Sequence, residues 1–304
     1  MKKIVVVGSV NMDLAVSSKR IPKMGETIMG QKISYLPGGK GFNQAVAASR
    51  LSANVSLIGC VGTDSFSDVL VKQMSLEGLN TMGIKRDKEI TGIATIFKAE
   101  GNNSIIVVPG VNNNCDEKFI EANMGLIQNA EVLVTQFEIP EEAVRCALKI
   151  AKESKVCTIV NPAPARKIDD ETLEYTDFIT PNETEFEFIV GQDLSDLDVL
   201  KYEMLKWQRN YKTRLIVTRG QHGVSYVEDD IVITVPSELV TTIDRTGAGD
   251  TFNGAFACCI AEKIEIYEAI KFANKAAGLS VTKFGAQAGM PTIREMEEVF
   301  KLIS

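Results

Sequence analysis

Short apolar runs that alternate with stretches of helical periodicity constrain this chain more than any other feature. Ile4–Val7 reads as a first buried strand. Val55–Cys60 precedes the helical stretch Ser65–Glu77, Val132–Gln136 precedes Glu141–Lys152, and Cys157–Asn161 and Phe178–Thr180 precede Asn182–Gly191. Runs this short, apolar on both faces and followed by helices, imply an α/β fold with a largely parallel central sheet flanked by helices on both faces. Further on come the strand Arg214–Thr218, a hairpin of Gly223–Val227 and Ile231–Val235 across Glu228-Asp229-Asp230, and helices near Asp250–Glu262, Ile266–Thr282 and Ile293–Phe300. The C-terminal half is therefore one continuous α/β unit.

Two regions break the alternation. Leu14–Ser18 with Thr27–Tyr35, and Thr91–Lys98 with Ser104–Val108, read as strand pairs without an intervening helix, joined by turns such as Ile21-Pro22-Lys23-Met24-Gly25 and Glu100-Gly101-Asn102-Asn103. They predict a small second sheet. Patterning alone leaves open whether that sheet is an ordinary extra layer or a cover over a site. No repeat, low-complexity tract or linker divides the chain, so residues 1–304 read as a single α/β domain with strands from about 14–36 and 91–108 inserted in it.

Composition excludes several classes of function. The chain has 304 residues, 45% hydrophobic and 24% charged, as expected of a folded globular protein. Its formal net charge is −7 and it has no run of lysine or arginine, which argues against nucleic-acid binding, because phosphates are neutralised by clustered basic residues. Met1-Lys2-Lys3 before Ile4–Val7 is not a signal peptide, since Gly8, Ser9, Asn11 and Asp13 interrupt the apolar run. No stretch approaches the roughly 20 apolar residues that cross a bilayer, so the expectation is a cytoplasmic protein with no membrane partner. Cys60, Cys115, Cys146, Cys157, Cys258 and Cys259 lack Cys-x-x-Cys spacing and read as reduced residues in or near the core.

The chemistry is carried by two glycine turns that open helices. Gly247-Ala248-Gly249-Asp250 runs into the apolar stretch Thr251–Ala257, and small residues there free successive backbone N–H groups to converge on an anion at a helix N-terminus. Asp250 is either the helix cap or a general base beside that anion. Gly38-Gly39-Lys40-Gly41-Phe42-Asn43 precedes the small-residue helix Gln44–Leu51, Asn11-Met12-Asp13 follows the first strand, and Asn182-Glu183-Thr184-Glu185 follows Phe178–Pro181. Neither turn is a P-loop, because Lys40 is followed by Gly41 rather than Ser or Thr. Nor is either a dinucleotide fingerprint, because Phe252 stands where the third glycine belongs.

In order, Asn-x-Asp, Gly-Gly-Lys-Gly-x-Asn, Asn-x-x-Glu and Gly-Ala-Gly-Asp resemble the ribokinase, or PfkB carbohydrate kinase, family over nearly the whole chain. The resemblance implies an ATP-dependent sugar kinase that phosphorylates the 5-hydroxyl of ribose, with Asp250 as base and the amides of Gly247, Ala248 and Gly249 as the anion hole. It implies sugar contacts from Asn11, Asp13, Gly39, Lys40, Asn43 and Glu138. Asn182 and Glu185 would place magnesium and the nucleotide phosphates, and Thr218, Gly220, Gly223, Gly249 and Asn274 would border the nucleotide. Through the same resemblance, Asp244, Thr246, Ser280, Lys283, Gly285 and Gly289 match a potassium site beside the anion hole. The small sheet becomes a lid over the sugar that also forms a homodimer.

Read without the resemblance, these residues are turn and cap chemistry. Arg245 departs from the family pattern, in which a small residue or proline is typical; a guanidinium directed outward would leave the cation site intact, and one directed inward would weaken or replace the cation. His222, in the turn Gly220–Gly223, reads as a surface residue, and Trp207 as part of an amphipathic helix packed on the sheet. The rival readings are the same chemistry on deoxyribose, fructose, a sugar acid or a nucleoside, and a non-catalytic sugar sensor. A sensor would be marked by loss of the base or of the glycines, and both are retained.

Overall fold

The computed structural model describes residues 2–99 and 102–301. Its main sheet contains β1 (Lys3–Val7), β4 (Asn54–Val61), β5 (Asn80–Arg86), β8 (Val132–Gln136), β9 (Cys157–Asn161), β10 (Phe178–Ile179), β11 (Arg214–Thr218), β12 (Val224–Glu228) and β13 (Ile231–Val235). Their spatial order is β13-β12-β11-β10-β9-β8-β1-β4-β5. Pairing is parallel from β5 across to β11, and the β12–β13 hairpin closes that edge antiparallel. A second sheet, in the order β3-β2-β6-β7, is built from β2 (Asn11–Ser17), β3 (Lys32–Gly38), β6 (Gly92–Ala99) and β7 (Asn102–Val108).

The strands divide their side chains between two cores with period two. On β1, Ile4 and Val6 join the core beneath the helices Lys40–Arg50, Ala248–Ala261 and Ile266–Ser280, while Val5 and Val7 join the one beneath Glu141–Glu153. Burial on both faces explains why the central strands are continuously apolar. A third cluster, around Phe186, Met204 and Trp207, fills the β11 end.

Glycine sets the geometry that matters for function. Helices Lys40–Arg50 and Ala248–Ala261 cross so closely at Gly254 that a Cβ there would lie 2.7 Å from both the Ala47 Cβ and the Gln44 carbonyl oxygen. The crossing sets the first turns of both helices side by side, at the C-terminal ends of the parallel strands. In open α/β sheets that is the edge where ligands bind.

The structure matches the expected strands Val132–Gln136, Cys157–Asn161, Arg214–Thr218 and Ile231–Val235 to the residue. It departs from expectation in the second sheet. Asn11 and Asp13 lie within β2 rather than in a turn after β1, and β3 covers Lys32–Gly38 instead of Thr27–Tyr35. The extended β2 carries both side chains on one face at i and i+2. Glu100 and Gly101 of the expected turn lie outside the described residues. Strand β5 and the short helices Glu117–Ala122, Met124–Gln128 and Asp170–Glu174 were not among the sequence expectations.

Candidate active site

Asp250 lies in the first turn of the helix Ala248–Ala261, and its side chain is held without serving as an N-cap. Asn43 Nδ2 donates to Oδ2 at 3.0 Å and Gln44 Nε2 to Oδ1 at 3.1 Å. Both donors come from the neighbouring helix, within reach because Gly254 permits the close crossing. The donors are themselves fixed. Gln44 Nε2 also donates to Asn161 Oδ1, Gln136 Nε2 donates to Gln44 Oε1 at 2.6 Å, and Gln287 Nε2 donates to Asn43 Oδ1 at 3.2 Å. Asn161 Nδ2 reaches the Thr180 carbonyl, Thr180 Oγ1 donates to Asn253 Oδ1, and Asn253 Nδ2 donates to the Gly249 carbonyl. A closed polar circuit thus runs from Asp250 back to its own turn, which fixes the carboxylate in place. Burial raises the Asp250 pKa; Lys40, Asn43 and Gln44 oppose that rise and Glu138 adds to it.

Gly247, at φ 80°, caps this helix, and the first α-helical bond runs from Thr251 N to the Gly247 carbonyl. The amides of Ala248, Gly249 and Asp250 therefore lie ahead of the helical ladder. The Ala248 amide turns back toward the Arg245 carbonyl at 3.3 Å.

A cluster of charged and polar side chains borders Asp250 on the β2 side. Asp13 is buried, its Oδ1 has no hydrogen-bond partner, and burial, with the neighbouring Glu138 and Asp250, pushes its pKa up to about 7 against Lys40 and Lys98. An unpartnered acceptor in such a place is a ready site for a ligand hydroxyl. Burial works against the Lys40 ammonium, but Asp250, Glu138, Glu185 and Asp13 outweigh it and raise its pKa. Glu138 Oε2 accepts from Ser9 Oγ at 2.6 Å and from the Lys40 amide at 3.2 Å. Asn11 Oδ1 accepts from Asn112 Nδ2 at 2.7 Å, which fixes the side-chain amide with its oxygen toward Asn112. Gly39 caps the helix Lys40–Arg50 at φ 89°.

On the other side of the Gly247–Asp250 turn lies a cavity of about 500 Å³. It is lined by Thr218, Gly220, Gly223, Gly249 and Asn274, the five residues expected to border a nucleotide, and by Arg245. Its size suits a ligand-sized molecule. Asn274 Nδ2 donates to the Pro236 carbonyl at 2.9 Å, so this side chain ties the cavity wall together. A wider groove of about 1250 Å³ lies at the opposite end of the strands beside Lys155, Asp177 and Tyr211, and holds none of the motif residues.

Asn182 and Glu185 form a reciprocal capping box, with Glu185 N donating to Asn182 Oδ1 and Asn182 N to Glu185 Oε2. Burial raises the Glu185 pKa, and Lys40 and Asp250 are both near enough to act on it, so the cap faces the reacting region.

Asp244 and Thr246 lead into the Gly247–Asp250 turn. Asp244 Oδ1 accepts from the Thr246 amide and hydroxyl, at 3.0 and 2.6 Å. Its Oδ2 accepts from the Gly285 amide at 3.1 Å and from Lys98 Nζ at 2.8 Å. Burial raises the Asp244 pKa, but these donors outweigh it and hold it at about 2. Ser280 Oγ turns to the Ala277 carbonyl and Lys283 Nζ to Glu295, so neither side chain points at Asp244. The Ser280 carbonyl lies against Gly289, where a Cβ would sit 2.1 Å from it.

Sequence reasoning missed Gln44, Gln136, Asn161, Asn253 and Gln287, which orient Asp250 or its turn, and Lys98, which reaches Asp244 from the second sheet. Their only sequence signal is a polar side chain inside an otherwise apolar or small-residue run. His222 is exposed in its turn, and Trp207 packs against Phe186 and Tyr211. All six cysteines are free thiols, four of them buried. Among the described residues no cluster of histidine, cysteine or acidic side chains would hold a metal by itself, and no helix is long and apolar enough to cross a membrane.

Comparison with known proteins places this geometry in context. The profile of the pfkB family carbohydrate kinases matches residues 1–293. The ribokinase of Bacillus subtilis is 40% identical over 300 residues, covering 98% of this chain and 99% of that protein. The ribokinase of Lactococcus lactis is 38% identical, covering 99% and 98%. The solved structure of Arabidopsis thaliana ribokinase, complexed with ribose and ATP, superposes with a TM-score of 0.92 at 29% identity over 99% of both chains.

Proposed function

The chain belongs to the pfkB family of carbohydrate kinases, and from that premise we propose that it transfers the γ-phosphoryl group of ATP to the 5-hydroxyl of D-ribose. One observation carries the reading: Asp250, fixed by Asn43 and Gln44, stands at the seam between the polar pocket of Asp13, Asn11, Lys40 and Glu138 and the cavity bordered by Gly249. A sugar on the first side and a nucleotide on the second would meet at the anion turn.

In this reading Asp13 and Asn11 grip vicinal hydroxyls, with Asn43, Gly39 and Glu138 completing the pocket, and Asp250 takes the proton of the attacking hydroxyl. Its raised pKa makes it a stronger base than an exposed carboxylate. The amides of the Gly247–Asp250 turn, with that of Ala248 released from the Arg245 carbonyl, and the Lys40 ammonium would face the charge that accumulates on the transferred group. Magnesium, an oxygen-seeking cation, would accompany the ATP near Asn182 and Glu185, whose amide and carboxylate oxygens suit it, and would supply charge neutralisation between the phosphates.

We read Asp244, Thr246, Ser280, Lys283, Gly285 and Gly289 as the surroundings of a monovalent cation, which the family resemblance leads one to expect to be potassium. Support for a positive charge there comes from the Asp244 carboxylate beside the anion turn. Against a free ion at that carboxylate stands the Lys98 ammonium already bound to it. The residues fit one positive charge at Asp244 and do not fit a second.

We read the four-stranded sheet as a lid inserted in a single domain, and as the surface of a homodimer. Ile33, Tyr35 and Ile106 are exposed on one face of it and Ile105 and Val107 on the other; the first face is an apolar surface suited to a second copy. Sedimentation of wild type and Ile106→Asp tests this; a wild type that sediments as a monomer at micromolar concentration would remove the dimer.

The activity test is ATP consumption with magnesium across ribose, deoxyribose, fructose and adenosine. Ribose-selective turnover is expected. Selectivity for another acceptor would keep the mechanism and change the substrate, and silence on all four would favour the sensor reading.

A further inference from the structure

Lys98 lies on β6 of the second sheet, opposite Ser17 of β2, and is distant in sequence from every motif of the site. Its ammonium crosses from that sheet to Asp244 at 2.8 Å, and lies 4.4 Å from the centre of the Phe284 ring. The Lys98 side chain is 20% exposed and that of Asp244 only 8%. The pair is therefore largely shielded from solvent, where a charge interaction is stronger than on an open surface.

A carboxylate offers about four acceptor positions on its two oxygens. At Asp244 they are taken by the Thr246 amide, the Thr246 hydroxyl, the Gly285 amide and the Lys98 ammonium. Three of these donors are local to the turn and its neighbouring loop and are neutral. Lys98 alone brings a full charge, and it brings it from another sheet. A cavity of about 210 Å³ beside the pair is bordered by Asp13, Lys98, Asp244, Thr246 and Gln287, so the ammonium stands between the sugar-side carboxylate and the segment that becomes the anion turn.

We propose that Lys98 is a tethered monovalent cation: its ammonium supplies at Asp244 the single positive charge that a diffusible alkali ion would otherwise supply, and so ties the order of the Asp244–Asp250 segment to the position of the second sheet. The inference rests on the kinase reading for the role of that segment, and on the Lys98–Asp244 geometry for its physical content. Lysine suits the task because it is a compact point charge on a flexible stem, and its ammonium is braced by the Phe284 ring. It follows that this chain is indifferent to which alkali cation is in solution. It follows too that removing the charge from Lys98 creates a need for an added ion.

The test compares wild type with Lys98→Met, which keeps the apolar stem but not the charge. Ligand-free protein is melted in potassium, sodium and choline chloride at equal ionic strength, and turnover is measured in the same salts. Wild type is expected to melt within about 1 °C in all three and to turn over at rates within about two-fold. Lys98→Met is expected to melt about 3 °C higher in potassium than in choline and to regain about ten-fold in rate there, as for any ion bound by the native state only. Lys98→Arg, which keeps a charge, should stay salt-indifferent, and it preserves the test should the methionine variant fail to fold. A wild type that needs potassium, a methionine variant that ignores it, or an arginine variant that becomes dependent on it would each overturn the proposal. Absence of turnover on every sugar would count against the kinase reading alone, since the melting comparison reads Lys98 without it.

Discussion

Replacing Asp250 by Asn should separate catalysis from structure. The introduced amide has the shape of the carboxylate but keeps only one acceptor oxygen and gains an NH2 group. Gln44 cannot turn to suit it, because its Nε2 is also donated to Asn161 and its Oε1 is taken by Gln136. Asn43 can turn. Among the described residues its only side-chain partner apart from Asp250 is Gln287 Nε2, and Gln287 Oε1 is a buried acceptor without a partner. If Asn43 and Gln287 flip together, the new NH2 finds the Asn43 oxygen, the Asn43 NH2 finds Gln287 Oε1, and one unpaired atom is exchanged for another.

The substitution also removes a buried charge. A carboxylate whose folded pKa is raised destabilises the fold above its ordinary pKa, most fully once the pH exceeds the folded value, so the neutral isostere relieves that penalty at pH 7 to 8. The melting temperature is therefore expected to hold or rise. Loss of the base should lower kcat by about two to four orders of magnitude, or about 3–5 kcal/mol of transition-state stabilisation, with sugar affinity kept within a few-fold. Coupled ATP-consumption kinetics, calorimetric sugar binding and thermal melting read the three quantities. A kcat within ten-fold of wild type would refute the assignment of Asp250 as base, and a fall in melting temperature of more than about 5 °C would refute the account of the flip.

Asp13, with its pKa at about 7, should lose its charge as the pH falls through neutrality, so KM for the sugar is expected to rise below pH 7 and to stay flat in Asp13→Asn; a parallel rise in both would exclude Asp13 as the titrating acceptor. Asp244 shows the opposite sign: its pKa is depressed from 3.8 to about 2, so its contribution is full above the unfolded value and is lost as the pH falls through about 2. That contribution is on the order of 1 kcal/mol, and an acid melting series should show it shrinking in Lys98→Met. Gly247→Ala places a Cβ 2.8 Å from that of Ala286 at a φ of 80°, and should cost about 1–3 kcal/mol in denaturant melts while lowering kcat; an unchanged kcat would argue against the Gly247 turn as the anion site.

The main sheet was legible because its strands are apolar on both faces and end at sharp polar punctuation, as Val132–Gln136 and Cys157–Asn161 show. The start of β2 was not, because Asn11 and Asp13 carry turn-forming side chains inside a strand, where pairing with β3 and β6 overrides local preference. The site motifs were legible as local words in the chain. The residues that orient them were not: Gln44 meets Asn161 across 117 positions and Lys98 meets Asp244 across 146, and a single sequence gives no sign of which polar residues will converge at such separations. Arg245 was readable as a departure from the family pattern; only the fold shows that it lines the cavity that Gly249 borders.

Beneath the sugar-side pocket three glycines meet through main chain alone. A Cβ on Gly41 would fall 2.6 Å from the Gly8 carbonyl carbon, and one on Gly59 would fall 2.6 Å from the Gly8 oxygen. Substitution there displaces backbone rather than reshaping a wall, so this floor offers natural or laboratory selection almost no variation to act on. Changes in acceptor preference must then arise from the opposite side, where β2 and β6 present replaceable side chains. In the kinase reading proposed above, a family built this way would diversify its sugars through the second sheet while the glycine floor stayed as it was.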